Sequence, residues 1–182
     1  MKQIRYEDFW SKNPCGIDGD FEKIAKHRYR MEPYLPIHLK CITTILSKDS
    51  KILEIGSGQG TDALFMSSLL SKDNEYVGID YSSKSIEISN KNRDVCIRNG
   101  FLKCIPEFQV GDALSINSKD EYFDFIYSMG VLHHTPNMQL AIKELHRVLK
   151  KGKQATIYLY RTGNLKVEVA KFLRKIQKVI DF

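Results

Sequence analysis

The chain contains no run near the ~20 consecutive apolar residues that span a bilayer, and its first ten residues, MKQIRYEDFW, lack the apolar core of a secretory signal. Both absences point to a cytoplasmic protein with no transmembrane segment. Cysteine is sparse: Cys15, Cys41, Cys96 and Cys104 stand far apart, with no C-x-x-C pair and no histidine at metal-ligand spacing. Unpaired thiols and no metal site are therefore expected. Internal repeats and low-complexity segments are also missing. A net positive charge is absent from most of the chain. The formal net charge is +6, but from Lys150 onward nine Lys and Arg face only Glu168 and Asp181, so residues 1–149 carry a net −1. Basicity confined to one terminal stretch is weak support for nucleic-acid binding.

What remains is ordinary for a globular domain: 182 residues, 42% hydrophobic and 27% charged, enough for one domain with a real core. Residues 1–50 form an expected N-terminal helical cap, broken by Pro14, Pro33 and Pro36. Within it the pattern predicts a short helix near Tyr6 to Trp10, a turn at NPCG, a helix over Phe21 to Met31, and another over PIHLKCITTILS. Residues 51–160 then alternate. KILEIG, YVGID, EFQVGD, FDFIYSMG and QATIYLY read as strands. TDALFMSSLLSK reads as a helix with an apolar face at 64, 65, 69 and 70, Ser82 as the cap of a helix running to about Asn99, and MQLAIKELHRVLKKG as a third helix.

Short apolar strands separated by helices specify an α/β protein, a Rossmann-like doubly wound, mostly parallel sheet with helices on both faces. Ligands of such sheets bind beyond the carboxyl ends of the strands. Asp80, Asp112, Ser128 and the stretch EIGSGQGTDA all fall at such ends.

The glycine turn has two readings. From Gly58, GQGTDA satisfies a dinucleotide G-x-G-x-x-G/A pattern, with Asp80 twenty residues beyond Gly60; from Gly56, where the strand ends, it fails at Thr61. The alternative is E-x-G-x-G-x-G at Glu54, Gly56, Gly58 and Gly60, which needs no shift of register. VGIDYS, VGDA, FDFIYSMGVLHHTP and AIKELHRVLKKGKQATIYLY follow in order. On these residues the chain resembles the class I S-adenosylmethionine-dependent methyltransferases, in their small-molecule branch with a methyltransferase type 11-like domain. The resemblance covers about residues 51–160 and, less closely, FWSKNPCG and HRYRMEP.

The resemblance implies S-adenosylmethionine as cofactor, S-adenosylhomocysteine as product and a small-molecule acceptor. Asp80 would accept from both ribose hydroxyls, Tyr81 would cover an adenine face, and Asp112 with the backbone near Ala113 would read the adenine edge. Gly56 and Gly58 would let the backbone approach, a Cβ there colliding. Glu54 would orient the loop or meet the ammonium group, and Ser57, Gly60, Thr61 and Asp62 belong to the same cofactor site. Ser128 and Met129 would line the methionine part through their backbone, and Arg28 and Tyr29 would meet its carboxylate. The lack of phosphate on this cofactor matches the lack of Lys or Arg in the turn. Each residue also has a plainer reading: Asp80 and Asp112 as loop caps, Tyr81 as surface packing, Arg28 and Tyr29 as a solvated helix face, Thr61 and Asp62 as a helix start where an acid favours the dipole.

The sulfonium methyl is already activated, so alignment of an in-line nucleophile is the main task, an effect worth ~7–11 kcal/mol. A base is needed only where the nucleophile must lose a proton. His133 and His134 are the candidates for it, with pocket-shaping as their alternative role.

The family's sheet ends in a β-hairpin, which this sequence is expected to lack. Residues 161–182 instead place Leu165, Val169, Phe172, Ile176 and Val179 at helical spacing among lysines and Arg174, a basic amphipathic helix. It is expected to pack on the sheet with its basic side in water, with a membrane surface or a partner as rivals. A shortened domain or a fragment would expose a sheet edge for a second copy, a homo-oligomer, to cover. Neither an N-P-P-Y-like sequence nor Pro-Cys follows the fourth strand, which argues against nucleic-acid base methylation. The competing readings are a non-catalytic or regulatory S-adenosylmethionine-binding module, an RNA methyltransferase and a nucleotide-dependent oxidoreductase.

Overall fold

Four of the five residues in β1 (Lys51–Ile55) are buried, which places this strand at the centre of the sheet. The computed structural model describes residues 20–160. Before β1 come α1 (Phe21–Met31) and α2 (Leu35–Ile45). After it follow α3 (Thr61–Leu69), β2 (Glu75–Asp80), α4 (Ser83–Arg98), β3 (Glu107–Val110), β4 (Phe123–Met129), one 3-10 turn (Leu132–His134), α5 (Met138–Val148) and β5 (Leu149–Tyr158). The strands stand in the order β3-β2-β1-β4-β5, every pairing parallel. Strand order reverses between β1 and β4, so the turn leaving β1 emerges where such folds leave a crevice.

Strand alternation divides the core. Ile52, Tyr76, Phe108 and Tyr127 pack with Leu35, Leu39 and Ile42 of α2 and with Leu64 and Met66 of α3. Leu53, Ile55 and Ile126 pack with Ala141, Leu145 and Val148 of α5. Helices thus cover both faces, as the strand–helix alternation predicts. α1 joins through the edge-on contact of Tyr29 with Phe65, ring centroids 5.6 Å apart. Among the described residues no helix is long and apolar enough to cross a membrane.

Two local expectations are corrected. Of the stripe expected on α3, Leu64 and Leu70 are buried and Phe65 packs against the core, but Leu69 does not turn inward. Thr61, Asp62, Ala63, Leu64, Met66 and Ser67 are buried while Leu69 is exposed, because α3 touches α1, α2, α4 and β2 at once and its neighbours, as well as its own apolar stripe, decide its faces. The third predicted helix stops at Val148, and Leu149 already pairs with Phe123. Asp124 draws both Lys150 and Lys153 to its carboxylate (2.8 and 3.3 Å), and Gly152 at φ +73° permits the irregularity between the Phe123 and Phe125 pairings. The predicted helix near Tyr6 to Trp10, the NPCG turn, the basic helix of 161–182 and the expected lack of a hairpin lie outside the described residues.

The turn after β1 is fixed by backbone geometry. Gly56 and Ser57 both donate their N–H to the carbonyl of Ile79 (2.7 and 3.0 Å), while Gly56, Gly58 and Gly60 adopt φ of +79°, +53° and +80°. A Cβ on Gly56 would lie 2.1 Å from Val131 Cγ2 and one on Gly60 2.9 Å from Phe108 Cζ, but one on Gly58 would meet nothing within 4 Å. The collision expected at Gly56 is therefore with the protein's own Val131, and at Gly58 there is no protein collision at all. Gly58→Ala should cost only the left-handed backbone strain, ~1–2 kcal/mol, and Gly56→Ala clearly more. Denaturant unfolding of both variants tests this ranking, which equal losses would contradict.

Candidate functional site

Asp80, the last residue of β2, holds two loops together. Its Oδ2 accepts the Gly58 N–H (2.8 Å) and its Oδ1 the Ser82 N–H (2.9 Å). Ser82 in turn caps α4 by accepting the Ser85 N–H at 3.2 Å. Burial pushes the Asp80 carboxyl upward, against the pull of these two N–H groups. Past the end of β3, Asp112 accepts the Leu114 N–H on Oδ1 (2.8 Å), exposing the backbone of Gly111 and Ala113 to the same space. Between these strand ends opens a cavity of about 410 Å³, a size ordinary for a small-molecule site.

The cavity floor is acidic. Glu54, near the end of β1, is 3% exposed and accepts the Tyr76 hydroxyl at 2.9 Å. Burial, then the nearby Asp62 carboxylate, pushes its carboxyl up to about 8. Asp62 takes the Arg28 fork on both oxygens (Nη2 2.9 Å, Nε 3.4 Å) and the Tyr127 hydroxyl at 3.2 Å. Arg28 also pairs with Glu32 at 2.6 Å. These contacts bind α1 across the cavity to α3, and they keep Arg28 charged despite the cost of its burial. Arg28 is the one Lys or Arg among the described lining residues, against Glu32, Glu54, Asp62, Asp80 and Asp112.

Most of the residues singled out in the sequence converge here. Glu54, Gly56, Ser57, Gly58, Thr61, Asp62, Asp80, Tyr81, Asp112, Ala113, Met129, Arg28 and His134 all line the cavity. Four do not. Gly60 faces Phe108 and Ser89. Tyr29 turns its hydroxyl to the Thr61 carbonyl (3.3 Å). Ser128 is fully buried and donates to the Ile55 carbonyl (3.1 Å), which locks β4 to β1. His133 lies behind His134, its ring centroid 4.1 Å from that of His134 and 4.4 Å from that of Tyr160. Its nitrogens are buried without hydrogen-bond partners among the described residues, and burial lowers its proton affinity. Sequence reasoning missed the apolar side of the cavity: Ile24, His27 and Met31 of α1, with Val131, Pro136 and Tyr160. The helical spacing 24, 27, 28, 31 was the available signal, since it sets one face of α1 toward a single neighbour.

A glycine turn, acids at neighbouring strand ends and a single, already paired arginine define a nucleoside-binding α/β domain suited to a cation and poorly suited to phosphate. The donor set fits S-adenosylmethionine in kind: carboxylates for hydroxyls and cationic groups, and an open position at Gly58 where a side chain would intrude. The family profile described as "Methyltransferase domain" matches residues 46–180, and the chain belongs to the class I S-adenosylmethionine-dependent methyltransferases. Relatives include 2-phytyl-1,4-beta-naphthoquinone methyltransferase of Arabidopsis thaliana, 28% identical over 66% of this chain and 45% of its own length. Human arsenite methyltransferase is 28% identical over 72% of this chain and 34% of its own length. The chain thus spans less than half of these curated relatives. A putative S-adenosyl-L-methionine-dependent methyltransferase of Methanococcus maripaludis superposes with a TM-score of 0.61 at 24% identity, covering 91% of this chain and 77% of that one. The [4+2]-cyclase SpnF does so with a TM-score of 0.61, also at 24% identity, covering 71% of this chain and 48% of that one. At these identities the superpositions establish the fold.

Because the Glu54 carboxyl is raised from an ordinary 4.5 to about 8, the folded chain binds a proton there that the unfolded chain sheds. The resulting stability is complete below about pH 4.5 and is lost as pH rises to about 8. Glu54→Gln, which stays neutral, should therefore gain stability over the wild type as pH rises through that window, with the difference constant above it. Urea unfolding at pH 5, 7 and 9 measures this; a difference independent of pH would contradict it.

Proposed function

We propose that this chain transfers the methyl group of S-adenosylmethionine to a small organic acceptor bound on the α1 side of the cavity. The observation that carries the reading is the placement of Asp80 and Asp112 beside the glycine turn, with no unpaired Lys or Arg where a phosphate would need one. Since the same fold also serves a cyclase, the reading rests on this site and the family membership together. The bound cofactor supplies an activated methyl cation equivalent. The chain's own residues bind, orient and exclude water. Asp80 and Asp112 hold the nucleoside, while Ile24, Met31, Val131 and Tyr160 form an apolar wall for the acceptor.

No cysteine lines the cavity among the described residues, so these residues provide no thiolate for a soft ion such as arsenite. The apolar wall suits instead the ring of an organic acceptor, the class named for the naphthoquinone relative. His134 borders the cavity and is the group placed to take a proton from a hydroxyl acceptor, with His133 packed behind it as support.

Calorimetry with S-adenosylmethionine and with NAD separates this reading from an oxidoreductase, since binding of NAD alone would overturn it. Asp80→Ala removes two charge-assisted loop hydrogen bonds as well as the nucleoside acceptor, and should weaken cofactor binding about a hundredfold; unchanged affinity would place the site elsewhere. Once an acceptor is found by transfer of labelled methyl to a panel of phenols, quinols and amines, His134→Ala should lower kcat by about 10²–10⁴ for a hydroxyl acceptor. His133→Ala should act mainly on thermal stability. The reverse pattern would exchange the two roles.

A further inference from the structure

Among the described residues Glu54 is the acid of the cavity that meets neither a cation nor a backbone N–H, whereas Asp80 and Asp112 lack a cation but accept backbone N–H groups. Among the described residues no Lys, Arg or His pairs with it. Arg28, the nearby guanidinium, is committed to Asp62 and Glu32. The Tyr127 hydroxyl also goes to Asp62, leaving Glu54 one neutral donor, the Tyr76 hydroxyl. The titratable and charged groups facing Glu54 come from the elements around it: Arg28 and Tyr29 from α1, Asp62 from α3, Tyr76 and Asp80 from β2, Tyr127 from β4. Asp62 and Asp80 oppose a charge on Glu54, Arg28 and the Tyr76 O–H favour it, and burial opposes it. The sum leaves the carboxyl protonated at neutral pH, on the wall of the cavity proposed to receive a sulfonium cation.

Building on the function proposed above, we propose that Glu54 sets the preference of this site for the sulfonium cofactor over its uncharged thioether product, by releasing its proton to solvent when the cation binds and keeping it when the product binds. S-adenosylmethionine and S-adenosylhomocysteine share the adenosine and the amino-acid group; they differ in a methyl and in one positive charge on sulfur. Both bring the amino-acid ammonium group, and only the first adds a second positive charge, on sulfur, so that charge is the electrostatic difference Glu54 can read. The step breaks one O–H bond, the proton goes to water or buffer, and no other bond changes. An ionised Glu54 in a poorly solvated cavity then favours donor over product, so the site sheds product more readily as pH rises.

The expected sign follows from the raised carboxyl. Below its titration range Glu54 is neutral with either ligand and the affinity ratio of donor to product is at its floor. As pH rises through about 8 the ratio climbs and then levels. A charge pair that favours the donor by ~1.4 kcal/mol raises the ratio about tenfold, the size of gain expected here. The ligands' own ammonium group titrates in this range too, but it is common to both and largely cancels in the ratio.

Calorimetric affinities of both ligands, measured on the wild-type chain and on Glu54→Gln from pH 6 to 9, test the inference. The wild-type ratio should rise about tenfold, and at pH 7 titrations in buffers of different ionisation enthalpy should show more protons released by S-adenosylmethionine than by S-adenosylhomocysteine. In Glu54→Gln, whose amide oxygen still accepts the Tyr76 hydroxyl, the ratio should stay flat. A flat ratio in the wild type overturns the inference without need of the variant, as does an equal rise in Glu54→Gln. If both ligands bind with a flat ratio, the methyltransferase reading stands and this inference falls; if neither binds at any pH, both fall.

Discussion

The cofactor end of this molecule depends on one carboxylate. Asp80 accepts the Gly58 N–H on one oxygen and the Ser82 N–H on the other, while the carbonyl of Ile79, one residue earlier, takes the N–H groups of Gly56 and Ser57. The turn after β1 and the turn after β2 are thereby tied to a single strand end, and the cavity is the gap between them. Each oxygen keeps further lone-pair capacity, since an ionised carboxylate offers about four acceptor positions, so the group that shapes the site can also accept from a bound diol. On the proposed reading, that double duty accounts for an acid at this position, while Ser82 alone caps the helix.

The second constraint is charge balance in a half-buried space. Five carboxylates border the cavity with one guanidinium, Arg28, and that guanidinium is shared between Asp62 and Glu32. The same pairing anchors α1, so the wall facing the acceptor side is held by a partly buried ion pair, whose loss leaves an uncompensated charge and costs far more than a surface pair. The deficit of positive charge is what a sulfonium ligand would supply, and it leaves no place for a phosphate. On the proposed reading, binding preference and wall position come from one network.

The strand ends were legible because buried parallel strands are short apolar runs, and register from the end of β1 separated the two glycine readings. Asp80 and Asp112 followed from that. Pairings across the chain were not legible: Arg28 and Asp62 are 34 residues apart, and Glu54 meets Tyr76 across 22 residues. Periodicity says which side a residue faces, not which partner it finds there. The buried faces of α3 were read only in part for that reason, as its surroundings bury more than its apolar stripe. The Ser128 hydroxyl, whose residue was expected to line the site through its backbone, satisfies the Ile55 carbonyl across 73 residues, a pairing of the same illegible kind. The start of β5 was hidden because LKKG continues a helical pattern until Asp124 recruits its lysines.

The most direct test of the account is a crystal structure of the chain with S-adenosylhomocysteine. The account predicts both ribose hydroxyls within hydrogen-bonding distance of the Asp80 carboxylate, the adenine amino group at Asp112, and the amino-acid end over Gly56 and Gly58 toward Glu54 and Arg28. A nucleoside bound away from Asp80, or a glycine turn rearranged to hold it without that carboxylate, would contradict it.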